Sequence, residues 1–163
     1  MIEKYKTLLN TAKSRHKETK QLFKILKKVK SGELDNLFEL NHIRFSSEID
    51  CLLCGNCCRE TGPLLKDRDI NKLSKSLRMK SNLFIDTYLQ MDDEGDQIFK
   101  ELPCPFIEDN NYCIVYEDRP SACREYPHTD RRNIRKYLKP TLENYRRCPI
   151  VYLTVEEIKK SLR

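Results

Sequence analysis

Four thiols crowd into eight residues: Cys51-Leu52-Leu53-Cys54-Gly55-Asn56-Cys57-Cys58. Two residues separate Cys51 from Cys54 and Cys54 from Cys57, and the last two cysteines are adjacent. The C-x-x-C interval lets two thiolates turn back onto one ion or one cluster edge, which is why it recurs in zinc and iron–sulfur sites. Gly55 adds backbone freedom inside the run, where a positive φ lets amides face the sulfurs. Adjacent Cys57 and Cys58 point in diverging directions and suit different roles or different centres. Cys104, Cys113, Cys123 and Cys148 follow, so the eight thiols suffice for two four-coordinate sites or for one cluster with spares.

Cys51, Cys54 and Cys57 with a remote cysteine before proline follow the spacing of a bacterial-type 4Fe-4S site. Cys104 and Cys148 each precede a proline, and either suits the remote position. Structural zinc sites more often use two separated C-x-x-C knuckles, whereas this chain has one group of close thiols. The spacing therefore leans towards iron–sulfur while leaving zinc and iron both open. Arg59, Arg119 and Arg124 lie near cysteines in sequence and could offset thiolate charge; Arg119 could equally pair with Glu117 or a backbone carbonyl. His42 and His128 are candidate auxiliary ligands that eight thiols leave without need.

The scaffold around these thiols has to fit into 163 residues, one domain's worth of chain. With 39% hydrophobic residues, 34% charged residues and a mean hydropathy of −0.70, a modest core and a polar surface are expected. No apolar run approaches the ~18 residues of a membrane span, and the first residues lack the apolar core of a secretory signal. On both features a cytoplasmic protein is expected, and in that compartment reduced thiols bind metal more often than they form disulfides. The net charge of +6 is uneven: residues 1–30 carry ten Lys and Arg against Glu3 and Glu18, a local +8. Such a segment can attract an acidic protein partner or nucleic acid. Without an aromatic or Arg-rich reader motif, a solvated helix face explains it as well. Glycine occurs only at positions 32, 55, 62 and 95, so no dinucleotide-binding, Walker or G-x-S-x-G loop exists.

Residues 2–30 lack Gly and Pro and repeat apolar side chains at Tyr5, Leu8, Leu9, Ala12, Leu22, Leu26 and Val29, which predicts an amphipathic helix stopped by Gly32. The stripe weakens at Arg15-His16, where two helices could join. Leu34, Leu37, Phe38 and Leu40 predict a short second helix, and residues 41–50 a loop or extended lead-in to the cysteines. Asp67 and Ser81 are candidate N-caps for two scaffold helices. Asp92–Asp96 reads as a turn and Ile98–Leu102 as a short strand. Pro103–Ile107 and Tyr112–Tyr116 around a polar tip predict a hairpin that carries Cys104 and Cys113. Pro120 suits the first turn of a short helix holding Cys123. Residues 130–147 suggest helices broken at Pro140, and Thr154–Glu157 has the pattern of a capping box for a C-terminal helix.

Three motifs together resemble the YkgJ-like cysteine-cluster family: the run from Cys51 to Cys58, Pro103-Cys104-Pro105-Phe106-Ile107, and Cys113 through Pro127 with its Glu117-Asp118-Arg119-Pro120-Ser121-Ala122-Cys123 centre. The resemblance covers about Cys51 to Pro127, reaches plausibly to Cys148, and leaves the first fifty residues outside. It implies chelation of zinc or iron by Cys51, Cys54, Cys57, Cys58, Cys104, Cys113, Cys123 and Cys148. It also implies kinship with flagellin lysine N-methylases, S-adenosylmethionine-dependent enzymes considerably longer than this chain.

The expected protein is mainly α with a small β-hairpin (α+β), its irregular cysteine-rich region packed on helices. Residues 1–45 form a basic helical segment and 46–163 a cysteine-cluster domain. Its function is expected to be metal binding, with a structural or redox centre of zinc, iron or a 4Fe-4S cluster. The alternatives are an S-adenosylmethionine-dependent protein lysine methylase and a nucleic-acid or protein adaptor with structural zinc. Metal binding should contribute folding energy, because the segments between the cysteines lack a continuous core.

Overall fold

A computed structural model of the protein describes residues 1–162. In chain order the helices are α1 (Glu3–Leu26), α2 (Ser31–Glu48), α3 (Cys51–Cys54), α4 (Asn56–Glu60), α5 (Asp67–Ser76) and α6 (Ser81–Tyr88). Strands β1 (Leu89–Met91) and β2 (Gln97–Phe99) come next, then α7 (Ser121–Glu125), α8 (Leu138–Asn144) and α9 (Pro149–Ser161). The fold is mainly α with a small antiparallel hairpin. The chain divides into two compact units: residues 1–54 with 127–163, and residues 55–126. No helix among the described residues is long and apolar enough to cross a membrane.

The first unit is helical. α1 buries Tyr5, Leu9, Ala12, Thr19, Leu22, Phe23 and Leu26, an unbroken stripe. The expected break at Arg15-His16 does not occur: Ala12, half-buried His16 and Thr19 keep helical spacing, and Arg15 pairs with Glu156 of α9 at 3.0 Å. Gly32 does not stop a helix either; it lies in the first turn of α2, which starts at Ser31. α2 runs on through residues 41–48, expected as a lead-in loop, because Phe45 continues the buried face of Leu34 and Phe38. Asp35 accepts the amides of Asn133 (2.8 Å) and Ile134 (2.9 Å), which fastens the 3₁₀ turn at Ile134–Tyr137 to α2. Pro140, expected as a break, sits instead in the first turn of α8, where its missing N–H costs nothing.

α9 packs against α2 and α1 through Ile150, Val151, Val155 and Ile158. It begins at Pro149 with Cys148 as its N-cap, so Thr154 is a buried interior residue and not the cap its pattern suggested. Proline at the first helical position lacks only an amide that would be unpaired there anyway.

The second unit is built on Leu65, Ile70, Leu73, Phe84, Leu89, Phe99, Phe106 and Val115. Phe106 is its hub, with ring centroids 5.1 Å from Tyr88, 5.5 Å from Phe99 and 6.2 Å from Phe84. Packed aromatic rings add roughly 0.5–1.5 kcal/mol per pair beyond their burial. β1 and β2 pair Leu89 with Phe99, and Asp92 closes their turn by accepting the amides of Glu94 and Asp96, each at 2.9 Å. The hairpin therefore lies one segment earlier than expected. Around residues 108–112 only a bridge between Ile107 and Cys113 forms, because Pro103 and Pro105 carry no amide to extend a ladder.

Candidate metal centre

The cysteine run folds as two short helices, α3 and α4, separated by Gly55 at φ 60°, ψ 8°. A Cβ at this position would stand 2.3 Å from Asn111 Oδ1. Arg59, one turn along in α4, donates to that same oxygen at 2.6 Å. Glycine is thus required twice, for its left-handed backbone and for the space Asn111 occupies. No spacing or motif singles out Asn111, apart from an Asn-rich turn suited to its own positive φ of 68°.

In the second unit, the Cys104 amide donates to the Cys58 carbonyl at 2.7 Å, which joins the Pro-Cys-Pro segment to α4. The Ile107–Cys113 bridge and the Ile114 amide on the Phe106 carbonyl (3.0 Å) then bring Cys113 alongside. Cys104 and Cys113 both pack against the apolar cluster around Phe106. Cys123 rides on α7, whose first residue Ser121 is anchored to buried Asp69 through its amide and its hydroxyl, each at 3.0 Å. Asp69 also accepts the Lys66 amide at 3.2 Å. The Cys123 thiol lies within the fields of Cys58, Cys104 and Cys113.

The electrostatics follow from burial and from these neighbours. Burial pushes Cys123 up to about 12 and Cys104 up to about 11, and the neighbouring thiols push both further in that direction. Cys113 is raised for the same reason. Cys58 moves the other way, down to about 7, chiefly because the Cys57 thiol 3.9 Å away bonds to its sulfur, with help from Arg59.

In the first unit, Cys148 is buried, and its amide donates to the Asn144 carbonyl at 2.8 Å. Burial pushes it up to about 12, and Cys54 and Cys51 add to the effect. Cys54 is buried and Cys51 exposed. α3 is held at both ends of its sequence, by the Ile2 amide on the Leu53 carbonyl (3.0 Å) and by the Asp50 amide on the Tyr5 hydroxyl (3.0 Å).

Three sulfurs share a further feature. Backbone amides of Phe106, Val115 and Ile150, each two residues past a cysteine, donate to Cys104, Cys113 and Cys148, and Val151 adds a second bond to Cys148. Amides aimed at sulfur stabilise the thiolate, the form that binds metal. The donor set therefore fits a cation: grouped thiols gain little from ionising beside one another, and a bound metal ion supplies the missing positive charge. None of the eight cysteines is in a disulfide, and among the described residues no three His, Cys, Asp or Glu side chains stand in a preformed ligand constellation. His42 Nδ1 is engaged with Thr129 Oγ1 at 2.7 Å, and the His128 ring stacks on Tyr137.

A family model for a zinc- or iron-chelating domain, CxxCxxCC, matches residues 50–149. The chain belongs to the CxxCxxCC family. No curated protein and no solved structure matches it. The CxxCxxCC span opens one residue before Cys51 and closes one residue after Cys148, so it encloses all eight cysteines. α1 and α2 lie outside it.

Proposed function

We propose that this CxxCxxCC domain holds zinc or iron through the thiolates of Cys51, Cys54, Cys57, Cys58, Cys104, Cys113, Cys123 and Cys148. The observation that carries this reading is the set of amides directed at Cys104, Cys113 and Cys148. Apolar packing alone does not call for an amide at each sulfur, whereas a coordinating thiolate does. A bound zinc ion would supply a redox-silent crosslink, and a 4Fe-4S cluster would supply one-electron chemistry. Around either, the protein's own residues shield some of the sulfurs: Cys104 and Cys113 pack against the apolar cluster that holds Phe106 and Val115, and Cys148 is buried at the start of α9. A reducing compartment would keep all eight thiols out of disulfides and open to a metal. Methyl transfer rests on the family resemblance alone, and no specific contact favours it.

Metal analysis and a visible spectrum of protein purified without oxygen test this reading. Zinc or iron in fixed proportion to protein is expected. Colourless, metal-free protein that is fully folded would overturn it.

A further inference from the structure

Beyond the metal reading, and independently of it, we propose that the solvent face of α1 binds the phosphate backbone of a nucleic-acid duplex without regard to base sequence. Lys13, Lys17, Lys20 and Lys24 recur at intervals of four, three and four residues, which sets them in one row along the helix. Lys27 and Lys28 carry the row into the turn that follows, and all six residues are exposed. From Lys4 to Lys30 the sole acid is Glu18, and it pairs with Lys159 of α9. The edges of the row keep the same sign. Arg135 donates to the Val29 carbonyl, next to Lys28. On the flank towards α8, Lys20 and Arg146 both act on the charge of His16, and Arg146 holds the acid there, Glu143, at 2.6 Å.

A row of lysines attracts anions, and the make-up of the face decides which. A helix that lies in a membrane surface sinks its apolar face among the lipids. In α1 that face is committed to the core through Tyr5, Leu9, Leu22, Phe23 and Leu26. An acidic protein surface is met by arginine forks and aromatic anchors, and the row holds neither. Lysines act on phosphate as point charges, and phosphate contacts seat a protein on a duplex without reading its bases. Bases of a single strand would find no aromatic ring in the row to stack on. At about 1.5 Å per residue, Lys13 to Lys28 spans about 22 Å. A duplex carries one charge per about 1.7 Å of its axis, so each lysine can find a phosphate.

Fluorescence anisotropy of the full-length protein with short DNA and RNA duplexes, each in two unrelated sequences, tests this. Engagement of about five phosphates predicts a slope of about −4.5 in log affinity against log salt, a loss of about 500-fold between about 50 and 200 mM. That slope with either kind of duplex upholds the proposal. Lys17→Gln with Lys24→Gln should weaken binding at least tenfold and flatten the slope by about 2, with circular dichroism and metal content unchanged. Lys75→Gln, an exposed lysine of α5, should leave binding as it is. Absence of binding at about 50 mM salt, or affinity that survives the double substitution, would overturn the proposal. So would a more than tenfold preference between the two sequences. Binding to phosphatidylserine vesicles or to polyglutamate as tight as to duplex would assign the row to a membrane or an acidic protein and overturn it too. Folded, metal-free protein that still shows the salt slope would defeat the metal reading and uphold this one.

Discussion

Asn111 fills the space that any side chain at Gly55 would need, its Oδ1 lying 2.3 Å from the position of a Cβ there. The contact joins the turn inside the cysteine run to a polar loop more than fifty residues later, and Arg59 locks it by bonding the same oxygen. The direction in which Cys57 and Cys58 leave the turn therefore depends on a residue that ligates nothing.

Gly55→Ala tests this clasp. A left-handed alanine costs about 1–2 kcal/mol, and the clash with Asn111 adds to it. Thermal melting should show the loss, and Asn111→Ala in the same chain should recover only the steric part. Equal penalties in both backgrounds would mean that Asn111 does not restrict residue 55.

The anchor at Asp69 makes a prediction about pH. Burial alone would raise its carboxyl, but the Ser121 and Lys66 bonds outweigh burial and hold it below the ordinary value. A depressed carboxylate stabilises the fold fully above its unfolded pKa of about 3.9. That contribution is lost as pH falls through the lower folded value. Asp69→Ala should cost on the order of 3 kcal/mol at neutral pH, since it strands buried donors, and should flatten the acid limb of the stability curve. An unchanged acid limb in Asp69→Ala would contradict this.

Thiol reactivity separates the cysteines in metal-free protein. With its value at about 7, Cys58 should be alkylated faster at neutral pH than Cys104, Cys123 or Cys148, which burial holds at about 11 to 12. Peptide mass spectrometry after a brief iodoacetamide pulse reads the order. Earlier labelling of Cys123 or Cys148 would show the electrostatic assignment to be wrong.

Deleting residues 1–30 removes Tyr5, Leu9, Leu22, Phe23 and Leu26 from the core of the first unit. At roughly 1.5–3 kcal/mol for each buried side chain, the loss matches the whole stability of an ordinary domain, about 5–15 kcal/mol. The shortened chain should lose helical signal beyond α1 itself and should hold less metal than the intact protein. Full metal content in a folded truncation would show that the basic helix is dispensable.

Much of this was legible in the sequence where one periodicity dominates. The stripe of α1, the scaffold helices α5 and α6, and the short helix carrying Cys123 follow from apolar spacing. Lys66, Lys80 and Pro120 hold the N-cap positions, however, and the expected caps Asp67 and Ser81 are the first helical residues. Boundaries failed where long-range burial decides. Phe45 drew residues 41–48 into α2, and the apolar run Ile150-Val151-Tyr152 moved the start of α9 ahead of Thr154. The hairpin was displaced because two prolines that mark the Cys104 motif also prevent a ladder there. Cys54, Cys104 and Cys148 could be singled out by spacing and by their prolines. Which thiols are neighbours could not, since that depends on the Asp69–Ser121 anchor and the Cys58–Cys104 backbone bond, each spanning more than forty residues.

A thiol footprint shows whether the cysteines themselves hold the metal. Full-length protein, metal-loaded or stripped by a chelator, would be alkylated while still folded and each cysteine scored by mass spectrometry. Metal should protect Cys51, Cys54, Cys57, Cys58, Cys104, Cys113, Cys123 and Cys148 at least tenfold relative to the stripped protein. Equal labelling of these thiols in both samples, with metal still bound in the first, would place the metal elsewhere and contradict the account.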